Sequence, residues 1–323
     1  MQIPKTAITF VIQGPVVPDV TKHSCSQIRE HFPGATIILS TWKNQPTNGL
    51  DVDELLLNDD PGSSIIKYDK RDRAHTVNVN RQIRSTVEGL KKVATAYAVK
   101  LRSDNALSSD QLLELYQQYP KAEHRLVPLS QRILTTNLFA KEYIEGLPTP
   151  FFFSDFFMFG LTEDLIAFWD QPLLSDYTFN PQLTGKRQHA SYPWPQLHIE
   201  QWLVTRFLSK YVRLNFPHKY ANSNGQLALS RELIAKHFIV AERSQIGLSV
   251  PGRLNQHEGF PYETYSYKRW QQLYQQYCDD TLVIPNHLSF RLSWLTARLL
   301  MFIKSGIKQK VRLLVCGLNK NKH

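Results

Sequence analysis

Through its first 130 residues the chain alternates two hydrophobic periods, and this alternation constrains the fold more than any other feature. Ala7 to Val17 (AITFVIQGPVV) reads as a buried strand, Thr21 to Phe32 as a short helix, and Ala35 to Trp42 (ATIILSTW) as a second strand, apolar on both faces. An acidic loop, Asp51 to Asp60, leads into a third strand at Ser64 to Tyr68 (SIIKY). Val79, Ile83, Val87 and Leu90 then lie on one stripe of a helix expected over 77–93. Ala96 to Leu101 gives a fourth strand, Asp110 to Tyr119 a helix and Arg125 to Leu129 a further strand. Alternation at this spacing predicts an α/β fold with a mostly parallel sheet and helices on both faces. With 323 residues, 42% of them hydrophobic, the chain can bury one large core, so we expect a single main domain.

Charge is unevenly placed. Lys plus Arg exceed Asp plus Glu by ten, yet eight basic residues and no acidic one fall between Thr281 and His323, leaving the body of the chain nearly balanced. A nucleic-acid binder needs basic charge across a face of its fold, so no nucleic-acid partner is expected. Three scattered cysteines, Cys25, Cys278 and Cys316, fit no closed disulfide framework, and no basic-then-apolar leader precedes the first strand. The longest C-terminal apolar stretch, Leu299 to Ile303, is far shorter than the ~20 residues of a membrane span. A cytoplasmic location is the expectation.

In parallel sheets ligands bind beyond the carboxyl ends of the strands. That rule selects Gln13, Gly14 and Pro15, then Thr41 and Trp42, then Asp69, then Arg102, Ser103, Asp104 and Asn105; the alternative is that Gly14-Pro15 is merely a turn and Trp42 a core cap. Farther on, residues 149–160 (TPFFFSDFFMFG) carry one charge, Asp155, among six phenylalanines. As one strand this segment would set Asp155 on a face with Phe151, Phe153, Phe157 and Phe159, where its carboxylate needs a compensating partner such as an arginine, or else a function. Thr162, Glu163 and Asp164 read as a helix cap with acids in the first turn. His198 to Leu203 (HIEQWL) opens another helix, with Glu200 off the apolar stripe of Ile199, Trp202, Leu203 and Phe207.

Several activities lose their main support. No GxGxxG or GxxxxGK[ST] loop follows a strand, there is no GxSxG elbow and no HExxH, and no PCxxC follows His198-Ile199-Glu200. What remains is the stretch from Asn78 to Asn105 (NVNRQIRSTVEGLKKVATAYAVKLRSDN): Asn-Arg opening a helix, a buried strand, then a polar turn with a carboxylate. This layout resembles nucleotide-sugar glycosyltransferases of the GT-A fold. Together with VIQGPV at 11–16 and IILSTW at 37–42 it is similar, more narrowly, to the WavE lipopolysaccharide-synthesis family, over most of residues 6–290.

The resemblance implies a GT-A-like sheet in which residues 1–130 hold a nucleoside-diphosphate sugar and 131–290 hold a glycan or lipid-linked acceptor, with 291–323 a basic amphipathic tail. By position it implies that Gln13, Gly14 and Trp42 line the nucleotide pocket and that Asn80 and Arg81 reach the donor. Asp59, Asp60 and Asp69 would meet base or ribose hydroxyls, the alternative being an ordinary solvated acidic loop, and Lys100 and Arg102 would lie by the phosphates. Asp104 matches the last acid of a DxD-type turn and would hold a divalent cation, Mg2+ or Mn2+, which prefers oxygen ligands. Arg102 stands where the first acid belongs, and a guanidinium can itself neutralise phosphate; the alternative for Arg102 and Asp104 is a local salt bridge. Glu200 is the first choice of catalytic base and Asp155 the second. The implied activity is sugar transfer in lipopolysaccharide or surface-polysaccharide assembly. The alternatives are an inactive glycan-binding protein and a sugar-phosphate nucleotidyltransferase. The tail, rich in Leu, Ile, Phe, Lys and Arg, suits the anionic inner face of the cytoplasmic membrane, or is an ordinary helix with a frayed basic end.

Overall fold

The structure is a computed structural model that describes residues 3–119, 126–186, 197–257 and 262–320. Strand β1 (Ile8–Gln13) is buried at every position, as expected of a central strand covered on both faces. Helix α1 (Pro18–His31) starts on proline at its first turn and buries Cys25 and Ile28, and β2 (Thr36–Trp42) pairs parallel to β1. Next comes β3 (Glu54–Asn58), parallel to β2, inside the segment expected to be an acidic loop. As an edge strand it leaves Leu55 and Leu57 exposed, and its acidic flank is structural. Arg29 of α1 binds Asp51 and Asp53, and Asp53 also accepts from the Ile37 amide at 2.6 Å.

The SIIKY segment forms β4 (Ser64–Tyr68), which pairs antiparallel with β5 (Ala74–Val77) in a separate hairpin and not in the main sheet. Helix α2 (Val79–Leu90) buries the predicted stripe and packs across β1 and β2. Strand β6 (Tyr97–Arg102) pairs parallel to the other side of β1, and the short β7 (Ala106–Leu107) and α3 (Gln111–Gln118) follow. Residues 126–129 are not a strand, and residue 125 lies outside the described residues. There the chain turns, because the Ser130 and Gln131 amides donate to the Asp164 carboxylate, and the strand begins later as β8 (Ile133–Thr136).

The aromatic run splits in two. After β9 (Lys141–Ile144), β10 (Leu147–Phe152) closes a hairpin, Phe151 takes a left-handed φ of 62°, and the chain leaves extended conformation until β11 (Met158–Leu161). Strand β11 lies antiparallel between β6 and β8. All six phenylalanines are buried, so the run marks the core, while Asp155 sits in the break and not on a strand face. Then come α4 (Thr162–Trp169), α5 (Ile199–Leu208), α6 (Gln226–His237), β12 (Phe238–Ala241) parallel to β8, and the two-residue β13 (Leu248–Ser249). Helices α7 (Tyr267–Tyr277) and α8 (His287–Lys320) complete a single domain. The seven-stranded sheet runs β12-β8-β11-β6-β1-β2-β3, mostly parallel and flanked by helices, as predicted.

The C-terminal helix starts four residues before the expected tail and is packed against the domain over its first half. It buries Trp294 and Ser305 against the β9–β10 hairpin. Gly146 in that hairpin has φ +77°, and a Cβ there would lie 2.6 Å from the Ser305 Oγ. No helix among the described residues is long and apolar enough to cross a membrane.

The same region contains a fully buried carboxylate. Glu142 of β9 accepts from Arg231 of α6 and Arg269 of α7 at 2.6–2.8 Å. Burial alone would raise its carboxyl, but Arg269 and Arg231 outweigh that and hold it down at about 2. Because the folded value lies below the unfolded one, the stabilisation is present above the ordinary carboxylate range and is lost as pH falls toward the folded value. Glu142→Gln, which leaves the buried Arg269 and half-buried Arg231 guanidiniums against a neutral amide, is expected to destabilise the fold by about 3–5 kcal/mol in urea unfolding at neutral pH. The gap from wild type should narrow in acid.

Candidate functional site

Three strands end at one cleft of about 680 Å3. The first is β1, whose Gln13 side chain accepts from the Ser85 hydroxyl of α2 at 2.9 Å and is thereby fixed at the cleft wall. Gly14 follows at φ +113°, a conformation that side chains disfavour, and a Cβ there would meet the Ser103 Oγ at 3.1 Å. Ser103 stitches the turns together: its amide donates to the Gln13 carbonyl at 2.9 Å and its hydroxyl to the Pro15 carbonyl. Trp42, ending β2, also lines the cleft, although almost all of its surface is buried.

The third strand, β6, supplies the charge. Arg102 donates through Nε and Nη2 to the two oxygens of Asp104, both at 2.8 Å, and its guanidinium lies 4.6 Å from the centre of the Phe156 ring. Arg253, 149 residues away in sequence, donates to the same Asp104 carboxylate at 2.9 Å. Burial opposes ionisation of Asp104, but Arg102 and Arg253 outweigh it and hold the carboxyl below its usual range. The salt bridge weighed for Arg102 and Asp104 is therefore present, and it lies on the cleft wall. Opposite, Arg81 in the first turn of α2 binds Asp60 through two contacts of 2.7 Å.

The same cleft is lined by two further carboxylates, Asp155 in the break between β10 and β11 and Glu200 in the first turn of α5. Neither forms a direct ion pair with a basic side chain among the described residues; Asp155 instead interacts at longer range with the Lys100 and Arg102 charges. Burial and the neighbouring Asp155 carboxylate raise the Glu200 carboxyl well above the usual range. Asp155 is held through its main chain: Lys100 donates to its carbonyl at 2.5 Å and, more weakly, to that of Phe156 at 3.4 Å. The Lys100 ammonium is entirely buried and packs 4.8 Å from the centre of the Trp169 ring. Burial brings it down to about 7 against the pull of Asp155.

Of the residues singled out from sequence, Gln13, Gly14, Trp42, Arg81, Arg102, Asp104, Asp155 and Glu200 all line this cleft. Asp60 joins them, whereas Asp59 pairs with Lys43 in solvent. Three expected donor contacts lie elsewhere. Asp69 closes the β4–β5 turn, accepting from Arg73 and the Arg71 amide. Asn80 ties Ser64 to the Leu174 main chain. Lys100 lies beneath the cleft floor and not on its wall. Arg253, Phe139 and Gln45 line the cleft without having been anticipated; Arg253 belongs to a short 3-10 helix with no local motif to mark it.

The residues present do not fit a divalent cation as they are arranged. Asp104 is the sole carboxylate of its turn and both its oxygens are occupied by guanidiniums. No group of three or more His, Cys, Asp or Glu side chains able to hold a metal occurs among the described residues.

A parallel-sheet protein with a charged cleft at its strand ends is thus defined by fold and site together. The chain matches the WavE lipopolysaccharide synthesis family over residues 8–303 and belongs to that family, which links it to lipopolysaccharide synthesis. No curated protein matches it.

The raised Glu200 carboxyl makes a stability prediction. The folded state keeps a proton that the unfolded state releases above its ordinary value of 4.5, so wild-type stability falls as pH climbs from there toward the folded value. Glu200→Gln keeps the neutral form throughout. Its melting temperature relative to wild type should therefore be higher at about pH 9 than at about pH 5, read by calorimetry.

Proposed function

We propose that the protein is a glycosyltransferase that moves a sugar from a nucleoside-diphosphate sugar to a glycan or lipid-linked acceptor in lipopolysaccharide synthesis. One observation carries this reading: a guanidinium pair shared on one carboxylate lines the same cleft, at the carboxyl ends of β1, β2 and β6, as two carboxylates that form no direct ion pair among the described residues. Family membership supports the pathway, and the cleft chemistry supports the reaction.

Transfer requires that the bond from the anomeric carbon to the diphosphate oxygen break, with its electron pair leaving on the diphosphate. The acceptor oxygen must bond to that carbon and lose its proton. The diphosphate lies along the turn after β6, where Arg102 and Arg253 turn from Asp104 to phosphate oxygens, a charge-assisted geometry that guanidinium forks favour. The first turn of α2 faces the same space and adds a partial positive charge. The nucleoside extends past Gln13, Gly14 and Trp42. Glu200 takes the acceptor proton, and Asp155 faces the positive charge that develops on the sugar. The guanidiniums carry the phosphate charge, and no step is assigned to a cation.

Burial and Asp155 raise the Glu200 carboxyl, so as base it must first lose a proton, and turnover should climb with pH through the neutral range. Thermal-shift titration with a panel of nucleoside diphosphates and their sugars should reveal a bound donor. Arg102→Ala should weaken that donor at least ~10-fold. Glu200→Gln should leave donor affinity within about twofold while lowering turnover ~100-fold or more. Near-normal turnover of Glu200→Gln removes it as the base. Donor hydrolysis and transfer should persist in EDTA, whereas a strict requirement for added Mn2+ would restore Asp104 as a cation ligand.

A further inference from the structure

A second recess, about 330 Å3 in volume, opens between α7 and α8. Four arginines line it: Arg231 from α6, Arg269 from α7, and Arg291 and Arg298 from α8. No carboxylate lines it; Glu142 lies beneath, already saturated by Arg231 and Arg269. Arg298 is held in place by aromatic rings, with its guanidinium 4.7 Å from the centre of Tyr143 and 4.9 Å from that of Trp294. Two further donors in the recess, the Gln272 Nε2 and the Trp294 Nε1, are buried with no hydrogen-bond partner. The Gln272 Oε1 already accepts from Arg269 at 3.2 Å. Buried donors without acceptors are costly, and an oxyanion satisfies them together with the arginines.

The recess adjoins an exposed apolar stripe on the same helix. Leu288, Leu292, Leu295, Leu299, Phe302 and Ile303 recur at three- and four-residue spacing and are all exposed, Leu288 at 75% and Leu299 at 62%. Leu295 belongs to both stripe and recess. The sequence of α8 and its approach contains no acidic residue, so a second copy seated on this stripe would bring like charges together. An anionic lipid surface complements both the charge and the apolar face, and the helix lies along it as interfacial helices do.

We infer that α8 is a membrane-surface element that docks on anionic phospholipid, with its leucine stripe among the acyl chains and one headgroup phosphate in the arginine recess. This holds independently of the chemistry proposed for the cleft, since it uses none of the cleft residues.

The test is co-sedimentation of the full chain with phosphatidylcholine vesicles made with and without phosphatidylglycerol. Association should be at least ~10-fold stronger with phosphatidylglycerol present and should weaken with added salt. The double variant Leu292→Asp/Leu299→Asp, with both sites in solvent, should abolish association without lowering the melting temperature. Arg291→Glu should weaken association and also reduce the protection that glycerol phosphate, a soluble headgroup mimic, gives against thermal unfolding. Equal association with both vesicle types, or association unchanged in the leucine double variant, overturns the proposal. So does a lipid-free dimer in sedimentation velocity that the double variant dissociates, because the stripe then belongs to a second copy.

Discussion

A fully buried lysine fixes the floor of the cleft. Lys100 lies one residue pair before the end of β6, at a position where a central strand is covered on both faces, and its charge needs acceptors that side chains there do not provide. The main-chain carbonyls of Asp155 and Phe156 provide them, and they are available because the chain between β10 and β11 is not engaged in a strand ladder. Straightening that break into regular strand would withdraw the acceptors and move Asp155 away from the cleft. The placement of one candidate catalytic carboxylate, the packing of Phe156 under Arg102 and the burial of Lys100 are thus consequences of one local arrangement.

The cleft keeps its charges in two distinct conditions. On the β6 side, Asp104 is shared by two guanidiniums, which hold its carboxyl below the usual range and fix the arginines on the cleft wall. On the α5 side, burial and the nearby Asp155 carboxylate raise the Glu200 carboxyl. One acid whose carboxyl is lowered by arginines and another whose carboxyl is raised beside a second acid thus line the same cleft. The α8 recess repeats the first condition on a different surface, with Glu142 ordering the arginines from below.

The sequence made the frame legible where periodicity is strong. The buried run of β1, the two-faced β2 and the stripe of α2 follow from local hydrophobic order, which no tertiary contact needs to override. It misled where an element's character is set by its neighbours. Strand β3 reads as an acidic loop because an edge strand need bury little and its acids serve Arg29. SIIKY reads as a sheet strand because its composition is the same whether it pairs in a sheet or in a hairpin. The phenylalanine run reads as one strand because aromatic density reports burial and not continuity.

The candidate site divides the same way. Residues that follow the carboxyl ends of the strands, Gln13, Gly14, Trp42, Arg102 and Asp104, were within reach of sequence alone, since the direction of a parallel strand dictates where its last residues emerge. Only the tertiary structure decided that Lys100 points beneath the cleft, that Asn80 anchors a loop, and that Arg253 arrives from a distant turn to share Asp104. Periodicity along a strand assigns a side chain to a face, but whether that face meets solvent or another segment depends on chain that is remote in sequence, and that is settled only when the whole core closes.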